Sequence, residues 1–276
     1  MFPSNEGGIA LPIEHLSYSS ISLLERCPRA WHNRYIKGLQ STPNWKMITG
    51  SAFDETVNFH YNQKKATGSD EPIDTLQDFV KEEFDQRKEE CTWIPGQDKK
   101  KQQDKVLTAC TKGIGEFRDK ILQKVEPDGV QIEIMHEFTP GLSFKGYVDL
   151  IEVKENKLII VDNKTTWRRW HGTEKLWQLI SYSYMLNLQG LDIRETRYDV
   201  CLLKKRDDPE VSQFTDFISD TQHKFIQSKL DWAIKYISSA MKDNTLFNYN
   251  LTSWQCGNSC PYVNQCELEL GMKLRT

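Results

Sequence analysis

The stretch from Gln131 to Thr166 leaves little freedom in how this chain can fold. Gln131–Thr139 (QIEIMHEFT) alternates apolar and polar residues, and Leu142–Glu152 (LSFKGYVDLIE) follows directly after Pro140-Gly141. Lys157–Thr166 (KLIIVDNKTT) follows a second turn at Lys154–Asn156. Alternation at period two marks a strand, and Pro, Gly or Asn between such runs marks a tight turn. Three strands in a meander are therefore predicted. Residues two apart on a strand share a face, so Asp162 and Lys164 project together while Asn163 points the other way. Positions 149 and 162 are equidistant from the centre of the second turn, so antiparallel pairing about it sets Asp149 directly opposite Asp162.

Two carboxylates a few ångströms apart repel by roughly a kcal/mol or more at an effective dielectric near 20. Proteins accept that cost where a cation bridges them, and oxygen ligands of this kind suit Mg²⁺ or Mn²⁺. An ammonium beside them, here Lys164, can orient a metal-bound water or stabilise charge developing on a phosphate. The bland alternative is a pair of solvated strand-edge charges with Lys164 as salt-bridge partner. The apolar run Leu158-Ile159-Ile160-Val161 counts against it, because a carboxylate that directly follows a buried run is poorly placed to be a casual surface charge.

Before the meander the chain reads as mostly helical. Ser17–Ile36 has serines as N-caps and apolar spacing near 3.6, with Pro28 breaking or kinking it. Met47–Lys65, Thr75–Arg87 and Lys101–Val125 follow, with a turn at Trp93–Gln97. After the meander come a helix at Glu174–Asn187, a fourth strand at Arg197–Leu203 and a long amphipathic helix at Ser219–Lys242. With no repeat and no long linker, one domain over 1–276 is expected: a mainly helical region to 127, a sheet core over 128–205, and a C-terminal helix with a cysteine trio over 206–276.

The net charge of −3 gives no global signature of a nucleic-acid binder, so any such surface must be local. No apolar run approaches a membrane span and the N-terminus carries no export signal, so a protein of the cytoplasm, without membrane partners, is expected. Seven cysteines in such a chain suggest metal ligation or buried thiols rather than disulfides.

Gly146-x-x-Asp149 followed by Asp162-x-Lys164 resembles the core of the PD-(D/E)XK nuclease superfamily, in particular its RecB-like exonuclease branch. Gln178 and Tyr182 are similar to that branch's Q-x-x-x-Y helix motif, and their spacing of four puts them on one helix face. The resemblance implies a restriction-endonuclease-like α/β fold, a mixed central sheet flanked by helices, with a helical N-terminal region and a C-terminus stapled by an iron–sulfur cluster. It makes Asp149 and Asp162 ligands of Mg²⁺ or Mn²⁺, Lys164 the residue that positions the attacking water, and Gln178 and Tyr182 braces of the site or contacts to the DNA backbone. Upstream, Gly50-Ser-Ala-Phe-Asp54 stands where the family has G-x-x-x-H, so Asp54 is carried over as a ligand in place of histidine. His60 on the same helix is an alternative nitrogen ligand. Glu133 and Glu137 are alternatives for a glutamate of the first strand.

Cys256, Cys260 and Cys266 form C-x3-C-x5-C, and Cys27 lies in Cys27-Pro28-Arg29 near the other end. Four thiolates can hold zinc or a [4Fe–4S] cluster. The order is similar to iron–sulfur exonucleases of the RecB-like branch, including the CRISPR-associated nuclease, whose trio is C-x2-C-x5-C; this chain has one more residue in the first gap. The resemblance favours [4Fe–4S] over zinc. Cys91, Cys110 and Cys201 lack ligand spacing and read as core residues. Arg29, Lys145, Arg168 and Arg169 are candidate DNA contacts, and the run Trp167-Arg168-Arg169-Trp170 suits single-strand stacking or an ordinary surface loop.

The expected activity is exonucleolytic hydrolysis of DNA, most plausibly at single-stranded ends, in recombination, repair or CRISPR adaptation, in a prokaryote or encoded by a phage. A structure- or flap-specific endonuclease, or a non-catalytic DNA-binding recombination subunit, are the alternatives. The partners implied are DNA and recombination or CRISPR adaptation proteins.

Overall fold

Pro28 does what its chemistry requires. Helix α1 (Tyr18–Arg26) starts at Ser17, whose hydroxyl accepts from Ser20 N while Ser20 Oγ accepts from Ser17 N. It stops at Cys27, and α2 (Pro28–Tyr35) restarts with Pro28 in its first turn, where the missing N–H costs nothing. The computed structural model describes residues 13–139, 141–169, 176–204, 208–253, 255–256 and 259–274. Pro140 of the first predicted turn, Trp170 of the aromatic run and Glu174 at the predicted helix start lie outside them.

The chain divides into two compact units, one of Met1–Ser41, Ile134–Gly146 and Asp220–Thr276, the other of Thr42–Glu133 and Tyr147–Ser219. In the first, α1 packs against α7 (Asp220–Lys242) and the short strand β1 (His15–Leu16) pairs in parallel with the start of β3 (Leu142–Lys154). Trp31 of α2 is fully buried and stacks on Phe247, ring centroids 5.8 Å apart. The C-terminal stretch ends in α8 (Val263–Leu270), closed by Gly271 in the left-handed region.

The second unit carries α3 (Trp45–Thr67), α4 (Ile73–Arg87), α5 (Lys99–Lys120), α6 (Leu176–Leu188) and most of the sheet. Strand order is β3, β4 (Lys157–Thr166), β5 (Glu195–Leu202), β6 (Glu210–Phe217), and β2 (Pro127–Thr139) also pairs with β3. The sheet is mixed: β4 and β5 are parallel, while β3–β4 and β5–β6 are antiparallel. The helices flank it, giving the α/β architecture expected from the sequence. The β3–β4 hairpin turns on Glu155 and Asn156, both at positive φ (51° and 61°), the backbone of a two-residue type I′ turn. Leu150 pairs with Val161 and Lys154 with Lys157, the register inferred from the sequence.

Apolar side chains of β4 and the three long helices form one core, with Ile159 and Val161 packed among Ala52, Val57, Leu76, Val80, Ile114 and Phe117. Close approach of α5 to the sheet requires Gly113, where a Cβ would run into Leu203. Cys110 and Cys201 are fully buried in this core, as expected, and Cys91 packs at its margin. Among the described residues no helix is long and apolar enough to cross a membrane.

A buried charge network ties β5 to its neighbours. Arg197 donates twice to Asp199 (both 2.8 Å) and ion-pairs with Glu152 of β3, while Gln213 Nε2 of β6 donates to Asp199 Oδ1 (2.8 Å). Removing Arg197 strands two buried carboxylates, a change that costs about 3–5 kcal/mol. Arg197→Leu is therefore expected to lower the urea midpoint by that equivalent without changing the slope. A loss below about 1 kcal/mol would show that the network does not hold the sheet together.

Candidate functional site

The acidic site is assembled by strand register. The β3–β4 pairing runs as far as Leu150–Val161, and Asp149 and Asp162 are the next residue along each strand. Asp149 Oδ2 accepts the Asn163 N–H at 3.0 Å, so the main chain of β4 holds the carboxylate of β3. Asp162 is fully buried and forms an ion pair with Lys164, two residues on and on the same face. Gln178 of α6 donates through Nε2 to Asp162 Oδ1 (2.9 Å) and to Tyr182 Oη (3.1 Å). The helix pair thus grips the carboxylate of the strand pair. Thr165 approaches α3 at Gly50, where a Cβ would stand 3.4 Å from Thr165 Oγ1. One turn further along α3, Asp54 joins the same electrostatic neighbourhood.

That neighbourhood is rich in negative charge, with Asp162 fully buried and Asp54, Asp149 and Lys164 half-buried around it. Burial pushes the Asp54 carboxyl up to about 6; Asp162 and Glu55 add to the rise and Lys164 opposes it. Burial, and then the Asp162 charge, drive Asp149 well above the ordinary carboxylate range, again against Lys164. Burial would lower the Lys164 ammonium, but Asp162 and Asp149 outweigh it and hold the group protonated above its usual value. Burial raises the Tyr182 phenol, so its O–H stays a proton carrier at neutral pH. Asp54 Oδ1 is buried with no hydrogen-bond partner. Three carboxyls around one ammonium leave an excess of acceptor oxygens, which a hard divalent cation would satisfy. Among the described residues, no group of three or more His, Cys, Asp or Glu is already arranged as a metal cage.

The other sequence candidates sort clearly. His60 is fully buried with its Nε2 3.2 Å from Asp70 Oδ1, and Lys64 joins the same carboxylate at 3.0 Å. It is committed to that cluster and is not among the groups acting on Asp149 or Asp54. Glu133 Oε2 accepts from Tyr147 Oη (2.6 Å), and Glu137 Oε1 accepts from Gly141 N (2.9 Å); the first meets a strand neighbour and the second closes a turn. Arg168 and Arg169 are exposed just past β4, where Thr166 Oγ1 donates to Arg168 O (2.8 Å). Lys145 is half-buried on β3. Arg29, a candidate DNA contact, lies over the Tyr249 ring (4.6 Å) and 3.8 Å from Glu269. Sequence reasoning missed the Asn163 N–H, because a main-chain donor leaves no mark in side-chain identity.

Cys27, Cys256, Cys260 and Cys266 all fall in the first unit and act on one another. Burial, then Cys260, Cys27 and nearby charges, push the Cys266 thiol up to about 12. Cys260 is raised by burial and by Cys27 and Cys256. Glu269, one turn after Cys266, accepts from Tyr249 Oη (2.6 Å) and Gln265 Nε2 (2.9 Å) and ion-pairs with Lys37. Against burial, these donors hold its carboxyl down to about 2.

The Asp54 shift has a sign that can be tested. Its folded pKa of about 6 stands above the ordinary 3.8, so the protonated carboxyl favours folding; that contribution is complete below about pH 4 and is lost as pH rises through about 6. In chelator-treated protein, Asp54→Asn is expected to raise Tm by roughly 2–6 °C at pH 8 and by little at pH 4. An equal effect at both values would remove the electrostatic explanation.

A family model, the PD-(D/E)XK nuclease superfamily, matches residues 15–267. Among solved structures, the chain is similar to a candidate exonuclease from Eubacterium rectale, with a TM-score of 0.51 at 12% identity over 82% of each chain. Weaker likenesses are SSO0001 (TM-score 0.37, 13% identity, 92% of this chain and 86% of that one) and protein VC1899 from Vibrio cholerae (0.22, 13%, 84% and 57%). At 12% identity the first of these likenesses speaks to the fold alone. No curated protein matches the chain. With the model spanning nearly the whole sequence, and the acidic strand pair in the matched region, the chain belongs to the PD-(D/E)XK nuclease superfamily.

Proposed function

We propose that this nuclease is a divalent-metal-dependent exonuclease that hydrolyses phosphodiester bonds at single-stranded DNA ends. The observation that carries it is the gathering of Asp54, Asp149 and Asp162 on the single ammonium of Lys164 in a buried place. Asp149, Asp162 and Asp54 are the residues that would hold Mg²⁺ or Mn²⁺. When bound, such an ion supplies neutralising charge and a more acidic water. Lys164, kept protonated, donates to the attacking water or to the phosphate oxygen on which charge builds. Gln178 fixes the rotamer of Asp162 through Oδ1, and Tyr182 fixes Gln178 in turn. The Asn163 N–H fixes Asp149 and leaves its second oxygen for a ligand.

The test is cleavage of end-labelled single-stranded DNA with Mn²⁺ or Mg²⁺. Asp162→Ala and Lys164→Ala are each expected to lower the rate about a hundredfold or more. Equal activity in all three proteins would sink the mechanism. Circularised single-stranded DNA is expected to resist; its rapid cleavage would replace the exonuclease with an endonuclease.

We also propose that Cys27, Cys256, Cys260 and Cys266 hold a [4Fe–4S] cluster as a structural staple. What supports it is four soft donors in one unit, with Cys27 and Cys256 near enough to add to the rise of the Cys260 and Cys266 thiols, and with Cys27 as the residue that precedes α2. Closing a loop of more than 200 residues restrains the unfolded chain and couples ligation to folding. Anaerobic purification should give a brown protein with about four iron and four sulfide per chain. A colourless protein with stoichiometric zinc would reassign the site.

A further inference from the structure

One cavity in the second unit is built of aromatic and basic residues and plays no part in the cleavage chemistry above. Its volume is about 310 Å³, and Trp45, Trp167, Ile94 and Val106 form its apolar walls. That size sits at the small end of ligand pockets, roughly 300–1,000 Å³. Gln102 builds one side: its Nε2 donates to Ile94 O (3.1 Å) and Gln97 O (3.2 Å), and its Oε1 accepts from Ile94 N (3.0 Å). The indoles of Trp45 and Trp167 meet edge to face, centroids 5.0 Å apart at 69°. The Trp167 N–H is buried with no hydrogen-bond partner.

The exposed rim is basic. Lys101 and Lys105 line the opening and have no ion pair among the described residues. Asp98, also at the rim, is occupied in capping α5, where it accepts from Lys101 N at 2.9 Å. Lys46 Nζ stands 5.5 Å from the centre of the Trp45 ring. Lys99–Lys101 open α5 with no acidic residue in the first turn, although a helix N-terminus disfavours cations. Lys99 is matched by Glu89; among the described residues Lys100 and Lys101 form no ion pair, and a passing phosphate would supply one.

The cavity is joined to the acidic site along two elements. Trp167 lies three residues past Lys164, at the end of β4. Trp45 opens the helix that carries Asp54 nine residues later, about 14 Å along the axis. That is a few nucleotides of a single strand. An aromatic slot with a cationic rim at that distance matches the recognition of an unpaired base, by stacking, with its phosphates held by lysines.

We propose that this cavity receives an unpaired nucleobase of the strand being cut, a few nucleotides from the scissile phosphate, so that the enzyme requires an unstacked single-stranded segment. The inference rests on the nuclease reading above. The experiment uses the full chain with Mn²⁺ and end-labelled single-stranded oligonucleotides, each carrying one abasic nucleotide at a successive position from the end. One position is expected to lower kcat/KM about tenfold or more, and Trp167→Ala is expected to abolish that positional penalty. The exposed double variant Lys101→Glu with Lys105→Glu should raise KM about tenfold or more while kcat holds. Its KM decides the matter should Trp167→Ala fail to fold. Active wild-type enzyme with a flat abasic profile, a penalty that survives Trp167→Ala, or an unchanged KM in the lysine variant would overturn the cavity and leave the nuclease reading standing. Failure of the wild-type protein to cut any of the oligonucleotides would overturn both.

Discussion

Everything at the acidic site depends on keeping three carboxyl groups and one ammonium together where little water reaches them. Left in solution, Asp54, Asp149 and Asp162 would ionise near pH 4 and separate. The fold denies them that option. Asp149 is pinned by a main-chain N–H, Asp162 by Gln178, and Asp54 by the path of α3, whose Gly50 lies against Thr165. Burial first, and the Asp162 charge after it, raise the carboxyls of Asp54 and Asp149, while Asp162 and Asp149 hold the proton on Lys164. Such a place is costly without a cation, and that cost is the argument for the proposed metal.

The counterweight sits on the other face of the same strands. Asn163 points away from Asp162 and stands in register with Asp199 on β5. There Arg197 joins Asp199 and Glu152 in a buried ion cluster. β4 therefore runs between two acidic layers, one with two carboxylates on the Arg197 guanidinium and one with three carboxyls on the Lys164 ammonium. The Arg197 layer links β3, β5 and β6. On that frame the second layer holds its carboxylates in place.

Much of this geometry was legible in the sequence because it follows from counting. The two-residue turn at Glu155-Asn156 fixes the register as far as the Leu150–Val161 pair, and Asp149 and Asp162 are the next residue along each strand. The Pro28 break and the long helix carrying Asp54 were legible for the same reason: Pro and apolar periodicity act locally. What escaped was set by tertiary context. β6 is an exposed strand rich in polar residues whose pairing is decided by β5, and β1 is two residues long. α8 is eight residues with no clear stripe, held by Glu269 rather than by its own propensity. Arg29 and His60 look like ligand-seeking residues in one dimension, yet each has a carboxylate partner distant in sequence or on another element. Composition cannot reveal a partner that only folding supplies.

The Glu269 cluster bears on how the cysteines are presented. Lys37, Tyr249, Gln265 and Arg29 converge on one carboxylate in the turn after Cys266. Asn250 Nδ2 donates to Arg26 O (2.7 Å) and Arg29 N donates to Asn248 O (3.1 Å), on either side of Cys27. These contacts bring the N-terminal helices to the C-terminal stretch through ordinary hydrogen bonds and ion pairs. The proposed ligation of the four thiols would act on a neighbourhood that protein contacts have already drawn together, which lowers the entropy left for a metal to remove. A thiol raised to about 12 is a poor ligand until it loses its proton, so the proposed ligation would release protons, and so would the proposed cation at the raised carboxyls of the acidic site.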